Sequence, residues 1–306
     1  MMGQPTELTL SPSATRAVVD ESSCVAQEDR FGPVDERRTV TKVGGPRYRP
    51  WLEVAAPSDY LENIANSATG RSYKAYAKSL LNIERGTVIA DLGCGAGVDL
   101  PAYAEAAGPT GQVIGIDHDH ALLGHARKNS AHLPTVSITE ADIHCLPLES
   151  DSVDRIHIDR VLQHVDVPAV VLAEAARTLH HEGRIVCVEP DWATLTIDHR
   201  DAALSRSYTH HVVEQVIRNA TIGRALPRML GDAGFTVHAI APFTAHWTDA
   251  LEADKVLGFR DVCEHAVADG TLPAAQTQIW INDLMAGPQF FASLSLFVVS
   301  AHIESA

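Results

Sequence analysis

Short apolar runs stopped by glycine or aspartate alternate with longer stretches of helical periodicity through the middle of the chain. Thr87-Val-Ile-Ala-Asp91 and Gln112-Val-Ile-Gly-Ile-Asp117 are two such runs. Thr135 to Thr139, Val153 to Ile158 and Arg184-Ile-Val-Cys-Val-Glu189 follow. Near-continuous apolar character over five or six residues predicts strands buried on both faces of a parallel sheet. Between them, Val98 to Ala107 predicts a helix with Pro101 in its first turn and Gly108 just past its end. Asp119 is placed to cap a second helix running to about Ala131. Asp166 and Pro168 open a third, with Val171, Ala175 and Leu179 on one face and Gly183 at its end.

Beyond Asp191 the alternation stops. Asp201 to Asn219 and Arg224 to Ala233 predict two helices, and Phe235 to Ile240 a sixth strand. Two more helices cover Asp249 to Ala268 and Ala274 to Ala286. Phe291 to His302 then alternates apolar and small polar residues as a closing strand. The expected architecture is α/β, a seven-stranded, mostly parallel sheet with its last strand antiparallel and helices on both faces. A helical insertion is expected over about 198–234. Ahead of the sheet, Tyr60, Ile64, Tyr73, Tyr76 and Leu80 recur at helical intervals within a cover over residues 46–85. Residues 1–45 lack periodicity and predict a flexible arm. The domain proper is expected over 86–306.

Composition narrows the partners. Against 24 Lys plus Arg stand 39 Asp plus Glu, a formal charge of −15. A surface of that sign repels a phosphate backbone and mildly favours a cationic ligand, so a small molecule is expected and nucleic acid is not. No stretch has the apolar length of a membrane span, and none near the start resembles a signal peptide. The five cysteines (Cys24, Cys94, Cys145, Cys187, Cys263) are scattered and form no Cys-x-x-Cys pair. They predict a reduced, cytoplasmic protein without a structural metal. The arm and the many apolar helices are compatible with a homodimer.

The chemistry concentrates in Asp91-Leu-Gly-Cys-Gly-Ala-Gly97, between the first strand and the first helix. Glycines at 93, 95 and 97 let the backbone turn sharply and approach a ligand with no Cβ between. The helix start beyond supplies free N–H groups and a positive dipole end. A plain strand-to-helix turn is the competing reading of glycines alone. The acid opening the turn and a second acid, Asp117, at the tip of the neighbouring strand favour a nucleoside, whose ribose hydroxyls a carboxylate can accept. Glu140-Ala141-Asp142-Ile143 follows the third strand, where Asp142 can accept from an adenine amino group and Ile143 can pack on the ring. A surface turn there is the alternative.

Together these segments resemble the class I S-adenosylmethionine (SAM)-dependent methyltransferases, a Rossmann-like family, closely over Tyr60 to Ile197. The ubiquinone/menaquinone-biosynthesis type, which includes secondary-metabolite enzymes, is nearest in character. The resemblance implies SAM as cofactor and S-adenosylhomocysteine as product. It implies that Asp91, Gly93, Cys94, Gly95, Tyr73 and Arg160 surround the methionine half. Asp117 with His118, and Ala141, Asp142 and Ile143, would hold the adenosine half. The segment Arg160-Val-Leu-Gln-His164 and the segment Glu189-Pro-Asp-Trp192 fall near the methyl group and the acceptor.

Methyl transfer is an in-line displacement, so the protein's task is to align nucleophile, methyl and sulfur in a dry pocket. Candidate acids and bases are His164, Glu189 and Asp191. Candidate pocket walls are Tyr60, Gln163, Trp192, Tyr208 and His211. For each of these a structural role is the competing reading. Residues 198–287 match no motif of the family, so substrate identity does not carry over. Three other functions remain open at this point. One is a cyclase or other SAM-assisted catalyst that moves no methyl, and another a SAM-binding partner subunit without activity. The third is a nicotinamide or flavin oxidoreductase, although Val98 stands where a dinucleotide fingerprint read from Gly93 needs glycine.

Overall fold

The computed structural model describes residues 68–287 and 289–303. The expected arm, the first part of the cover and Tyr60 lie outside them.

Helix α1 (Ala68–Leu81) precedes strand β1 (Val88–Leu92), α2 (Leu100–Ala107), β2 (Gln112–Asp117), α3 (His120–Ser130) and β3 (Val136–Glu140). Then come β4 (Val153–Asp159), α4 (Pro168–Thr178), β5 (Leu179–Ile197), α5 (Ala202–His211), a π-helical turn (Val212–Val216) and α6 (Ile222–Asp232). The chain closes with β6 (Thr236–Trp247), α7 (Ala250–Leu257), α8 (Phe259–Ala268), α9 (Ala274–Ala286) and β7 (Ala292–His302). The sheet order is β3-β2-β1-β4-β5-β7-β6, with β7 antiparallel to both its neighbours. Six parallel strands and one inserted antiparallel make the expected Rossmann-like sheet.

Two cores sandwich it. On one face Tyr73, Ala77 and Leu81 of α1 pack with Leu100, Tyr103 and Leu123 over Ile89, Val113, Val186 and Val298. On the other, Val171, Leu172 and Ala175 of α4 and Ile222, Leu226 and Leu230 of α6 cover Ile156, Ile158, Ile185 and Val299. A third core stands apart from the sheet's centre. Strands β5, β7 and β6 run on beyond the parallel strands, pairing as far as Ile197 with Ala292 and Trp247 with Ala292. Trp192, Leu195, Ile197, Ala292 and Leu294 of this extension bury the apolar faces of α5, α7, α8 and α9. The cap is therefore assembled from two sequence insertions, before β6 and after it, while α6 is a crossover helix on the sheet. No helix among the described residues is long and apolar enough to cross a membrane.

Local departures have identifiable causes. The helix expected from 201 to 219 leaves α geometry at Val212 and ends at Ile217, where Val212, Val213, Val216 and Ile217 form a β-branched run stiff at χ1. The helix expected from 249 to 268 breaks at Gly258, which takes φ 61° and ends α7 as it starts α8. Asp166 does not cap α4, whose first residue is Pro168. Its carboxylate pairs with Arg218 instead. Asp119 does cap α3, accepting from Ala121 and Leu122 N–H at 2.8 and 3.0 Å. The all-thiol expectation is corrected at one position. Cys94, Cys187 and Cys263 are buried thiols, but Cys145 is disulfide-bonded, since scatter along a sequence says nothing about proximity in space.

Candidate functional site

From β1 the chain turns outward through β2 to β3 on one side and through β4 to β5 on the other, so the strand order reverses between β1 and β4. Ligands of open α/β sheets bind beyond the carboxyl ends of the strands at such a reversal. The glycine turn lies there. Gly93, Gly95 and Gly97 all have positive φ (73°, 53° and 75°). Gly93 and Cys94 N–H both donate to Ile116 O, at 2.7 and 3.0 Å, which laces the turn to β2. Gly95 N–H donates to Asp117 Oδ2 at 2.8 Å, and Asp119 N–H to Asp117 Oδ1 at 2.9 Å. Each of these oxygens keeps a further acceptor site, the requirement for gripping a pair of vicinal hydroxyls.

The cleft continues from Asp117 toward β3. Ala141 N–H donates to Asp117 O at 3.0 Å, which sets the turn Ala141–His144 beside the tip of β2. Ile143 is buried in the core, while the side chains of His118 and Asp142 stand largely free at 88% and 70% exposure. Burial acts upward on the Asp142 carboxyl, but the backbone and ring hydrogen bonds from His144, with the charges of His144 and His118, together outweigh it and hold the carboxyl below its usual range.

Around the other end is a charge cluster that the sequence did not reveal. Lys74 Nζ lies 2.5 Å from Asp99 Oδ2 and 2.7 Å from Asp159 Oδ2. Tyr73 donates its hydroxyl to Asp159 Oδ2 at 3.2 Å, and Arg160 Nε donates to Asp159 Oδ1 at 3.1 Å. Burial opposes charging Asp159, but Lys74 and Arg160 outweigh it and hold the carboxyl far below its ordinary value. Two cations and two anions thus tie the cover helix α1 to β4 and to the residue before α2. Asp99, at the head of α2, makes no side-chain cap and is committed to Lys74.

Asp91 lies beneath the turn, buried, with His157 Nδ1 2.8 Å from its Oδ1. Burial pushes the Asp91 carboxyl up; for His157 burial acts downward, but the carboxylate wins and the imidazole is raised. Asp91 is a strut of the turn, paired across the β1–β4 register in which it faces His157. A histidine between Ile156 and Ile158 was the sequence's only signal of it. Cys94 is likewise buried, its thiol pushed well up by burial.

Residues 160–165 form the hub between the glycine-turn cleft and the cap. Arg160 takes φ 59°, unusual for a side-chain-bearing residue, and its N–H donates to Val188 O at 2.7 Å. Glu189 Oε1 accepts from Val161 and Leu162 N–H at 2.8 and 2.6 Å. Trp192 Nε1–H donates to Gln163 Oε1 at 2.8 Å, and Asn219 Nδ2 donates to Leu162 O and Val165 O, both at 2.8 Å. His164 is half-buried here. Burial, with Arg160 and Arg218 nearby, takes its imidazole down to about 4.

Other expected residues are placed elsewhere. Asp191 is fully enclosed and accepts from both Nε and Nη2 of Arg224 at the start of α6, and from Ala193 N–H. Tyr208 is buried in the cap core against Phe259 and Trp280, donating its hydroxyl to Leu257 O. His211 is buried in the cap beside Asp269. Trp192 belongs to that same core and reaches the hub through its indole hydrogen bond to Gln163. The structure thus brings Tyr73, Gly93, Gly95, Asp117, His118, Asp142, Arg160 and Gln163 to the cleft or its edge. Asp191, Tyr208 and His211 are engaged away from it.

The donor set fits an adenosyl amino acid: backbone approached without Cβ, a two-oxygen acceptor at the next strand tip, and an open carboxylate beyond. Residues 83–234 match the family model described as a methyltransferase domain. The chain is 47% identical over 252 residues to an uncharacterised 37.1 kDa protein in transposon Tn4556 of Streptomyces fradiae, covering 82% of this chain and 73% of that protein. It is 26% identical over 211 residues to the demethylmenaquinone methyltransferase of Staphylococcus aureus strain JH9, covering 64% and 88% respectively. The solved structure of the YcgJ protein from Bacillus subtilis shares the fold, with a TM-score of 0.53 at 16% identity over 77% of this chain and 99% of that one. The chain belongs to the class I SAM-dependent methyltransferases.

Proposed function

We propose that the protein transfers the methyl group of SAM to a small-molecule acceptor beneath the cap, within quinone-like or secondary-metabolite biosynthesis. The observation that carries this reading is the tie between Gly95 N–H and Asp117 Oδ2 at the strand reversal. It holds a Cβ-free turn and a sugar-gripping carboxylate in one rigid unit. Gly93, Gly95 and Arg160 would hold the methionine half, with Tyr73 over it, and Asp117, His118, Asp142 and Ile143 the adenosine half. When bound, SAM supplies the electrophilic methyl group and the leaving sulfide. The chain's residues contribute alignment and exclusion of water. The cap over the strand ends favours a compact acceptor over a polymer, and the resemblance to a demethylmenaquinone methyltransferase supports an aromatic or quinone-like one.

The direct test is incubation with methyl-labelled SAM and candidate acceptors. Label should appear in a product one methylene heavier, with S-adenosylhomocysteine formed alongside. Cofactor consumed without label transfer, or acceptor changed without mass gain, would make the protein a SAM-assisted catalyst of another kind. In the same assay Asp117→Ala should weaken SAM binding by about 30-fold in calorimetry, since it removes both the sugar acceptor and the tie to Gly95. Unchanged affinity would remove the cleft as the cofactor seat.

Where the acceptor atom carries a proton, we assign its removal to His164. With its pKa held to about 4 the imidazole is unprotonated throughout the neutral range, an available acceptor although a weaker base than an ordinary histidine. His164→Ala is expected to lower kcat about 100-fold at saturating SAM, with SAM affinity unchanged. The wild-type rate should fall only below about pH 5, not near the usual histidine value. A limb at pH 6.5 would place the base elsewhere.

A further inference from the structure

The turn that offers Asp142 contains a second residue with a defined task. Asp142 Oδ1 accepts two hydrogen bonds from His144, one from its backbone N–H at 2.9 Å and one from its ring Nδ1 at 2.6 Å. The other ring nitrogen, Nε2, accepts from Val167 N–H at 3.3 Å, at the head of α4. A nitrogen that accepts carries no proton, so these contacts fix the neutral Nδ1–H tautomer. They also fix the carboxylate. Oδ1 is occupied on the protein side by both His144 donors, while the Asp142 side chain as a whole is 70% exposed. His144 itself is 24% exposed and lies between this carboxylate and the body of the domain.

We propose that His144 is a positioning residue for base recognition. By holding Oδ1 against α4, it commits Oδ2 to accept the exocyclic 6-amino group of the cofactor's purine. It thereby sets the preference for an adenosyl over a deaminated cofactor. The inference rests on the cofactor reading above, in which Asp142 faces the base. Physically, an exposed aspartate free to rotate must lose side-chain entropy to meet the amino group, whereas one already fixed by a ring does not. A hydrogen bond to a charged acceptor then favours the amino-bearing base, and its loss leaves discrimination to shape alone.

The experiment compares two probes by calorimetry, S-adenosylhomocysteine and its purine-riboside analogue, which lacks only the 6-amino group. Wild type is expected to prefer the first about tenfold. Asp142→Asn should lose most of that preference and serves as the reference for base contact. His144→Ala should cut the preference to threefold or less while binding the deaminated analogue as wild type does. His144→Asn, whose amide can replace the Nδ1–H donor, should restore it. Equal weakening of both probes in His144→Ala would mean that the ring merely holds the loop, and would overturn the proposal. So would an undiminished preference. Failure of wild type to bind either probe would instead remove the cofactor reading itself. A preference retained in Asp142→Asn would remove only the base contact, and with it the role of His144.

Discussion

Gly93→Ala is expected to weaken SAM binding at least 100-fold and to destabilise the fold by about 2–4 kcal/mol. Two costs add. At φ 73° any side chain pays for left-handed backbone, about 1–2 kcal/mol. A Cβ built there would also stand 2.4 Å from Val161 Cγ2 and 2.7 Å from Cγ1, well inside contact distance. Val161 has little freedom to yield. Its branched side chain is stiff at χ1, and its N–H is held by Glu189. The turn must therefore shift, and because Gly93 and Cys94 share Ile116 O, a shift drags the cofactor's seat away from Asp117. The double variant Gly93→Ala/Val161→Ala separates the two costs. It should recover the part of the stability due to overlap, about half, and leave the backbone part. Urea melts and calorimetric titration with SAM measure both quantities. Wild-type affinity in the single variant would show that the turn does not seat the cofactor.

Why the turn was legible in the sequence and the charge cluster was not follows from how each is encoded. Glycines 93, 95 and 97 act through local backbone freedom, and Asp117 through its place at a strand tip, so pattern alone located them. The strands β1 and β2 were equally plain, because a strand buried on both faces has few polar positions to blur it. Lys74, Asp99 and Asp159 carry no such mark. They come from a cover helix, a loop and a strand end, and only the fold brings both carboxylates within 3 Å of the Lys74 ammonium. The cap was misjudged in extent for a related reason. Its helices bury their apolar faces on the far ends of β5, β6 and β7, and periodicity shows that a helix is amphipathic without showing what it covers. Strand β6 likewise runs to Trp247, seven residues past its expected end, because its pairing with β7 sustains it. Among site residues the same division holds. Asp191 was read from its position just past the strand expected to end at Glu189, but its partner Arg224 lies 33 residues on. Tyr208 was placed on the right element, with the wrong surroundings available to judge it by.

Glu189 separates structural from chemical duty in one side chain. It is wholly buried, its Oε1 takes Val161 and Leu162 N–H, and its Oε2 has no hydrogen-bond partner among the described residues. Burial pushes its carboxyl up to about 8, against the pull of those backbone donors. The folded state therefore retains this proton at pH values where the unfolded chain, near 4.5, has lost it. The group's stabilising effect is complete below pH 4.5 and declines as pH rises, by at most about 1.4 kcal/mol per unit, until the folded form also ionises near pH 8. The accumulated loss is roughly 5 kcal/mol. Glu189→Gln keeps a carbonyl acceptor in the same volume and has no proton to lose. Relative to wild type it should gain stability steadily from pH 5 to pH 8, with SAM affinity preserved. Glu189→Ala leaves two buried donors without an acceptor and a void under the hub. It should cost about 3–5 kcal/mol at pH 5, where the charge plays no part. Activity then decides the second duty. If the carboxyl serves only to hold residues 161 and 162, Glu189→Gln will turn over as wild type does. If it also exchanges a proton with the acceptor, kcat will fall about 100-fold with SAM binding intact. Parallel stability profiles for wild type and Glu189→Gln across pH 5–8 would mean that this carboxyl is already ionised when the protein is folded, and that the hub is built on a buried charge.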